Sequence, residues 1–245
     1  MKNIIFLLKI FALVVTTYSA VPSYIKICGR KNPDLDGCVR KSIEVLRPKF
    51  KVGIPELDVP SADPFFLEEG LPLANSRDLQ ASARNVYLHN FSNFELHGLH
   101  IDLEKKKIDF DVFFRKIKLD GDFDVRAKIV VELKGTGPIE IHAENVSGKG
   151  YLVYQLVDTK RGKRLYFSSM TLKLAIEDFE SKYVSNNGPN AAFNEAINTV
   201  LNTNRPEIIE GILPGIEKAV STKLLELANQ VCKKFTYDEL FPDRE

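Results

Sequence analysis

From Leu79 to Ile176 the chain alternates apolar and polar residues with a period of two. The clearest runs are Leu99/Ile101/Leu103, Ile108/Phe110/Val112 and Phe123/Val125/Ala127/Ile129/Val131/Leu133, continued by Ile139/Ile141/Ala143 and Leu172/Leu174/Ile176. Asp109, Asp111, Asp122, Asp124, Arg126, Lys128, Glu132 and Glu140 fill alternate positions. Antiparallel strands with one dry face and one wet face produce this pattern. Turn-forming residues at Lys105–Lys107, Asp120-Gly121, Gly135-Thr136-Gly137-Pro138, Ser147–Gly150 and Lys160-Arg161-Gly162-Lys163 are expected to divide it into a meander. Such a meander has a single hydrophobic side, which needs a partner.

The partner follows Asn187-Gly188-Pro189, which breaks the strand pattern. Phe193, Ala196, Ile197, Val200 and Leu201 take helical spacing, and Asn204-Arg205-Pro206 marks a boundary. Beyond it, Ile209, Leu213, Ile216, Val220, Leu224, Leu227 and Val231 fall on one broad face, with Glu210, Glu217, Lys218, Asn229 and Lys233 outside it. Read as one helix from Arg205 to Phe235, this element is about 46 Å long. A helix of that length cannot bury itself, and the dry side of the meander is the apolar surface available to cover it. The expected class is α+β: a long C-terminal α-helix wrapped by a strongly curved antiparallel β-sheet. Such a wrap is either filled solid or encloses a lumen. Gly211, Gly215 and Ala219 form a row of small residues beside the apolar stripe, which suits either close helix–sheet approach or space for a ligand. Pro214 removes one helix hydrogen bond and is expected to kink the helix.

At the other end, Val39, Ile43, Leu46 and Phe50 predict a short helix from Val39 to about Arg47, stopped by Pro48. The stretch Gly53-Ile54-Pro55-Glu56-Leu57-Asp58-Val59-Pro60, running on through Asp63-Pro64 to Leu71-Pro72, holds too many prolines for a helix or a central strand. It reads as an extended surface segment with Phe65, Phe66 and Leu67 tucked inward.

The first residues change the picture of where the protein works. Lys2 precedes an apolar run from Ile4 to Val15, interrupted only by Lys9, and small residues follow at Thr17, Ser19 and Ala20. The pattern is that of a secretory signal peptide over residues 1–20, cleaved near Ser19 or Ala20. The run is shorter than the ~20 residues a bilayer span needs. Residues 21–245 are then expected as one secreted domain, monomeric and without stable membrane insertion. A net charge of only +1 leaves no whole-molecule field to recruit nucleic acid or anionic membrane.

Secretion makes the three cysteines readable. Cys28 and Cys38 flank Asn32-Pro33-Asp34 and Asp36-Gly37, turn-forming residues that bring the two together. A disulfide closing so short a loop stabilises by roughly 3 kcal/mol on the chain-entropy estimate. Cys232 is left over, about 120° from the centre of the long helix's stripe, and is expected half-buried as a free thiol, an intermolecular disulfide being the alternative. Asn90-Phe91-Ser92 and Asn145-Val146-Ser147 are sequons, making Asn90 and Asn145 candidate glycosylation sites.

Little in the chain carries bond-making chemistry. No nucleophile elbow, zinc-binding His-Glu-x-x-His or phosphate loop occurs. His97 and His100, three apart in a strand, are expected on opposite faces and cannot chelate one metal as a local pair. The basic cluster Lys160-Arg161-Gly162-Lys163-Arg164 falls where a hairpin tip is expected. Neither a catalytic residue nor a metal or cofactor is expected. A second possibility is an interaction protein whose interior is filled by its own Phe and Leu side chains and which acts through its outer surface.

Taken together, these residues resemble the insect takeout and juvenile-hormone-binding proteins. The resemblance runs from Cys28 to about Pro242. It is carried by the Cys28–Cys38 pair before a short helix, Gly53-Ile54-Pro55-Glu56-Leu57 followed by Asp63-Pro64, and the Gly-x-Gly of Gly135–Gly137. Leu201-Asn202-Thr203-Asn204 before the long helix and the ending Tyr237-Asp238-Glu239-Leu240-Phe241-Pro242 complete it. The resemblance implies the tubular lipid-binding fold, no enzymatic activity, and an elongated apolar tunnel carrying a small hydrophobic ligand such as a terpenoid or fatty-acid derivative. The lining expected of such a tunnel is Phe110, Val112, Phe123, Val125, Ile129, Val131 and Ile141 from the strands, with Ile212, Ile216, Val220 and Leu224 from the long helix. Tyr151 and Tyr154 are its candidate polar groups. The chain is more similar to the takeout branch, because the hormone-binding branch has a second disulfide and only Cys232 remains here to make one. The receptor or partner that unloads the ligand is not legible.

Overall fold

The computed structural model describes residues 21–67, 71–75, 79–128, 132–186 and 191–245. The expected signal peptide and the Asn187-Gly188-Pro189 break lie outside them. The first helix, α1, spans Leu35–Val52 and is longer at both ends than its apolar spacing suggests. Asp34 caps it, its carboxylate accepting from the Gly37 amide at 3.0 Å. Pro48 lies inside the helix rather than ending it. The carbonyl its missing N–H leaves unpaired belongs to Glu44, an exposed residue, so water can take that bond. Gly53, at φ 90°, is where the helix stops. The Cys28–Cys38 disulfide fastens its first turn.

Seven strands follow: β1 Phe65–Leu67, β2 Leu71–Asn75, β3 Leu79–His89, β4 Glu95–Asp102, β5 Lys107–Lys128, β6 Glu132–Thr159 and β7 Gly162–Tyr183. All described pairings are antiparallel, in the order β1-β3-β5-β6-β7, with β2 also on β3 and β4 also on β5. Pro72 sits in β2, a strand paired only on its β3 side, where a missing donor is tolerated. Phe65 and Leu67 are buried as expected. Phe66 is not tucked inward: it alternates to the outer face and stacks on the exposed Tyr87, ring centroids 4.7 Å apart.

Three expected turns are strand interior instead. Gly121 lies within β5, and Gly135–Pro138 and Ser147–Gly150 lie within β6. The glycines serve close approach. A Cβ on Gly137 would stand 2.0 Å from the Val184 carbonyl oxygen, and one on Gly150 2.0 Å from Cζ of Phe110. The β4–β5 turn at 103–106 and the β6–β7 turn at Lys160-Arg161 do fall on their signals, the latter closed by the Thr159–Gly162 pair. At 28 residues, β6 would extend about 90 Å if straight. Strands that long must coil, and breaks in their inward–outward alternation, at unchanged register, let them. Inward residues change parity at Arg115-Lys116 in β5, Glu144-Asn145 in β6 and Glu177-Asp178 in β7. These defects lie side by side, with Asn145 in the left-handed region at φ 50° and its amide donating to Glu177 at 2.7 Å.

The helices α2 (Ala191–Thr203) and α3 (Arg205–Cys232) lie along β7, and a short α4 (Tyr237–Leu240) ends the chain. At 28 residues α3 is about 42 Å long. β7 is the last strand of the sheet, and its outer backbone groups are met by side chains from the helices. Asn198 accepts from the Tyr183 amide and donates to its carbonyl, both at 2.8 Å. Asn202 does the same to Ser181 at 2.9 Å, and Asn229 to Phe167 at 2.8 and 2.9 Å. Asn194 accepts from Ser185 and Glu217 from Leu174, each at 2.9 Å. An edge that would otherwise template another strand is thereby closed. The apolar contact beneath joins Val220, Ile216, Ala219 and Leu224 of α3 to Leu67, Leu71, Val86 and Leu172.

Candidate functional site

The sheet and α3 do not close on each other completely. A cavity of about 850 Å³ runs between them. Its floor comes from the inward residues of the long strands: Phe110, Val112, Phe123 and Val125 of β5, Ile141 of β6, and Leu172 and Leu174 of β7. Its roof is the inner face of α3, with Ile208, Ile212, Ile216, Val220 and Leu224. Parity on the strands and helical spacing on α3 bring these groups together. Nine of the residues expected to line a tunnel border this cavity: Phe110, Val112, Phe123, Val125, Ile141, Ile212, Ile216, Val220 and Leu224. Ile129 and Val131 lie outside the described residues.

The two tyrosines do not line it. Tyr151 is 45% exposed on the outer face. The odd-numbered alternation of Ile139, Ile141 and Ala143 would carry Tyr151 inward, but Glu144 and Asn145 both face out, and beyond them the even-numbered residues face in. Tyr154 therefore points inward, yet it packs beyond the cavity with Phe167, Cys232 and Tyr237. Burial holds its phenol well above the ordinary value. Of the small-residue row on α3, Gly211 borders the cavity, and a Cβ there would meet nothing within 4 Å. Gly215 is not part of the lining, and Ala219 packs into the cluster under β1 and β2.

Other lining residues were not anticipated. Val39 and Ile43 of α1 face the cavity, as do Phe91 and Phe94 between β3 and β4 and Phe241 after α4. The four-residue spacing of Val39 and Ile43 was visible, but not which surface their helix would cover. Hydrogen bonds from Arg40 to the Leu96 and His97 carbonyls, at 2.6 and 3.3 Å, hold α1 there. Among the described lining residues only Ser181, Asn204 and Glu207 are polar, and Glu207 is the one that carries a charge.

The remaining candidates fall outside the cavity. Leu96, Leu99 and Ile101 face in, so the bulge at 97–98 leaves both His97 and His100 facing out, not on opposite faces as strict alternation predicts. His97 stacks on Phe113 and His100 hydrogen-bonds Asp36 at 3.0 Å. Among the described residues, no three His, Cys, Asp or Glu side chains gather as a metal group. Asn90 and Asn145 are both exposed. Cys232 is free and buried, not half-buried, because Tyr237 and Phe167 pack over it. Burial pushes its thiol up to about 12. No helix among the described residues is long and apolar enough to cross a membrane.

The chain and its fold have counterparts among known proteins. A family model described as haemolymph juvenile hormone binding protein matches residues 6–242. A Schistocerca gregaria protein named for beta-carotene binding is 24% identical over 228 residues, covering 90% of this chain and 89% of that one. The crystal structure of Takeout 1 from Epiphyas postvittana superposes with a TM-score of 0.74 at 17% identity, over 89% of this chain and 99% of that chain. At that identity the likeness is one of fold.

Proposed function

We propose, from the premise that the chain belongs to the haemolymph juvenile hormone binding protein family, that it is a secreted, non-enzymatic carrier of a small hydrophobic ligand. The ligand class is a terpenoid, such as a juvenile-hormone-like molecule, or a fatty-acid derivative. The observation that carries this reading is the size and chemistry of the cavity. A dry void of about 850 Å³ would cost on the order of 20 kcal/mol at the rate measured for cavities left in protein cores. That exceeds the roughly 5–15 kcal/mol by which a domain is stable at all. Water is a poor filling, since each buried molecule needs two or more polar partners and the described lining offers three polar side chains in all. An apolar ligand meets both requirements. Each CH₂ taken from water contributes about 0.8 kcal/mol, so ten carbons supply about 8 kcal/mol against the cost of association. Micromolar or tighter binding follows. The Schistocerca gregaria relative named for beta-carotene binding supports the same class of cargo.

In this reading residues 1–20 direct secretion, residues 21–245 form one monomeric lipid-binding domain, and Asn90 and Asn145 are open to glycan. The disulfide suits an oxidising compartment. The alternative of an interior filled by the chain's own side chains is disfavoured by the cavity. The test is native mass spectrometry of protein purified from its source, followed by organic extraction. Reproducible bound lipid, displaced by added terpenoid or fatty-acid ester, is the expected result. A protein that is empty and also takes up no apolar probe would overturn the carrier.

A further inference from the structure

We propose that the cavity selects uncharged ligands and turns carboxylates away, with Glu207 at its mouth setting the sign. This rests on the carrier reading and narrows its cargo to hydrocarbons, esters and, best of all, alcohols.

The mouth is marked by the lining residues that are also exposed. Ala196, Val200, Asn204, Glu207 and Gly211 are such residues, spaced by three or four along α2 and into α3 so that they share one edge. Deeper in, the lining is apolar apart from Ser181, whose amide and hydroxyl both donate to Asn202, at 2.9 and 3.3 Å. A ligand's polar end therefore finds partners only at the mouth. Asn204 offers both donor and acceptor there; one amide hydrogen goes to the Val200 carbonyl at 3.1 Å, and its side chain does not cap α3. Among the described residues Glu207 supplies the lining's only formal charge and has no ion-pair partner.

Among the described residues no cationic side chain lines the cavity. Arg205, next to the mouth, is held by Asp178 at 2.7 and 2.9 Å and by the Asn202 carbonyl at 2.9 Å. On the α1 side, Arg40 is bound to the Leu96 and His97 carbonyls, and Arg47 to Glu44 while lying over Phe94. The start of α3 contributes about half a positive charge, which the full negative charge of Glu207 in the same turn outweighs. A carboxylate drawn inward would lose its water and gain no partner. One left at the mouth would sit against Glu207. A hydroxyl instead donates a charge-assisted hydrogen bond to that carboxylate.

The test is displacement of the neutral fluorescent probe N-phenyl-1-naphthylamine by retinol and by retinoate, which share a carbon skeleton, at pH 7.5. The wild-type chain should take up the probe and bind retinol about tenfold or more tighter than retinoate, the effect of one like charge some 6 Å away at intermediate dielectric. Glu207→Gln should narrow the ratio and Glu207→Lys should close or reverse it, each ratio being taken within one variant against that variant's own affinity for the neutral probe. Equal binding of retinol and retinoate by the wild type overturns the proposal while leaving the carrier standing. A ratio that neither substitution moves overturns the role of Glu207. Failure of probe and retinol alike to enter would overturn the carrier reading, and this inference with it.

Discussion

Cys232 shows how far a residue's chemistry depends on what folds back over it. From its helix angle alone it stands beside the apolar stripe and half in water. The four-residue helix α4 and the turn before it bring Tyr237 onto it, leaving 9% of its surface exposed. Because the thiolate is the reactive form, a thiol held near 12 is inert at neutral pH. Native protein at pH 8 should therefore resist iodoacetamide, and unfolding without reductant should release one reactive thiol per chain, counted by mass spectrometry. The sign of the linkage follows: the fold favours the protonated thiol, so this contribution is complete below pH 9 and is lost as pH rises toward about 12. Labelling of the native chain at the rate of the unfolded one would refute the burial. The tyrosines carry the same lesson. The alternation beside Tyr151 and Tyr154 was readable, but two successive residues facing outward at Glu144-Asn145 reverse which of them faces in, and nothing local announces that break beyond an asparagine able to adopt positive φ.

At the scale of elements, the helices are attached to the sheet as much by amides as by apolar contact. Asn194, Asn198 and Asn202 recur every four residues on α2 and meet alternate residues at Ser185, just past β7, and at Tyr183 and Ser181 within it. That spacing was in the sequence, yet it looked like an ordinary polar face because the edge it closes belongs to another element. Asn202→Leu should leave the Ser181 amide and carbonyl without partners in a half-buried site, lowering stability by about 1–3 kcal/mol. Urea unfolding should show a lower midpoint at unchanged slope, and no change in midpoint would mean the edge needs no closing. The strands were legible as strands, and so was the sidedness that makes a wrapped helix necessary. Their lengths were not. Glycine marks a turn and a close approach with the same letter, and Gly121, Gly137 and Gly150 are all of the second kind: what a Cβ would strike is Arg84, Val184 or Phe110, residues distant in sequence.

For the whole molecule the question is whether the space under α3 is a lumen or imperfect packing, and Gly211 decides between them. The strand and helix stripes identified most of the lining, but no residue pattern reports a volume that side chains fail to fill, and α1 and Phe241 join the wall only through tertiary folding. Gly211 is helical, borders the cavity, and has open space where a side chain would begin. Replacing it with Leu removes the helix cost of glycine, about 0.8–1 kcal/mol, and adds apolar surface inside the cavity. The unliganded protein should gain about 1 kcal/mol, a rise of about 2–4 °C in Tm for a chain of this size. Apolar probe binding should weaken at the same time. Ligand, in turn, should raise the Tm of the wild type more than that of Gly211→Leu, since a hundredfold excess over Kd stabilises by about 2.7 kcal/mol and the variant has the higher Kd. Overpacking of an already filled core would instead destabilise by about 1–3 kcal/mol. Opposite signs in stability and binding are what a lumen requires; a variant less stable and equally able to bind would place the ligand elsewhere.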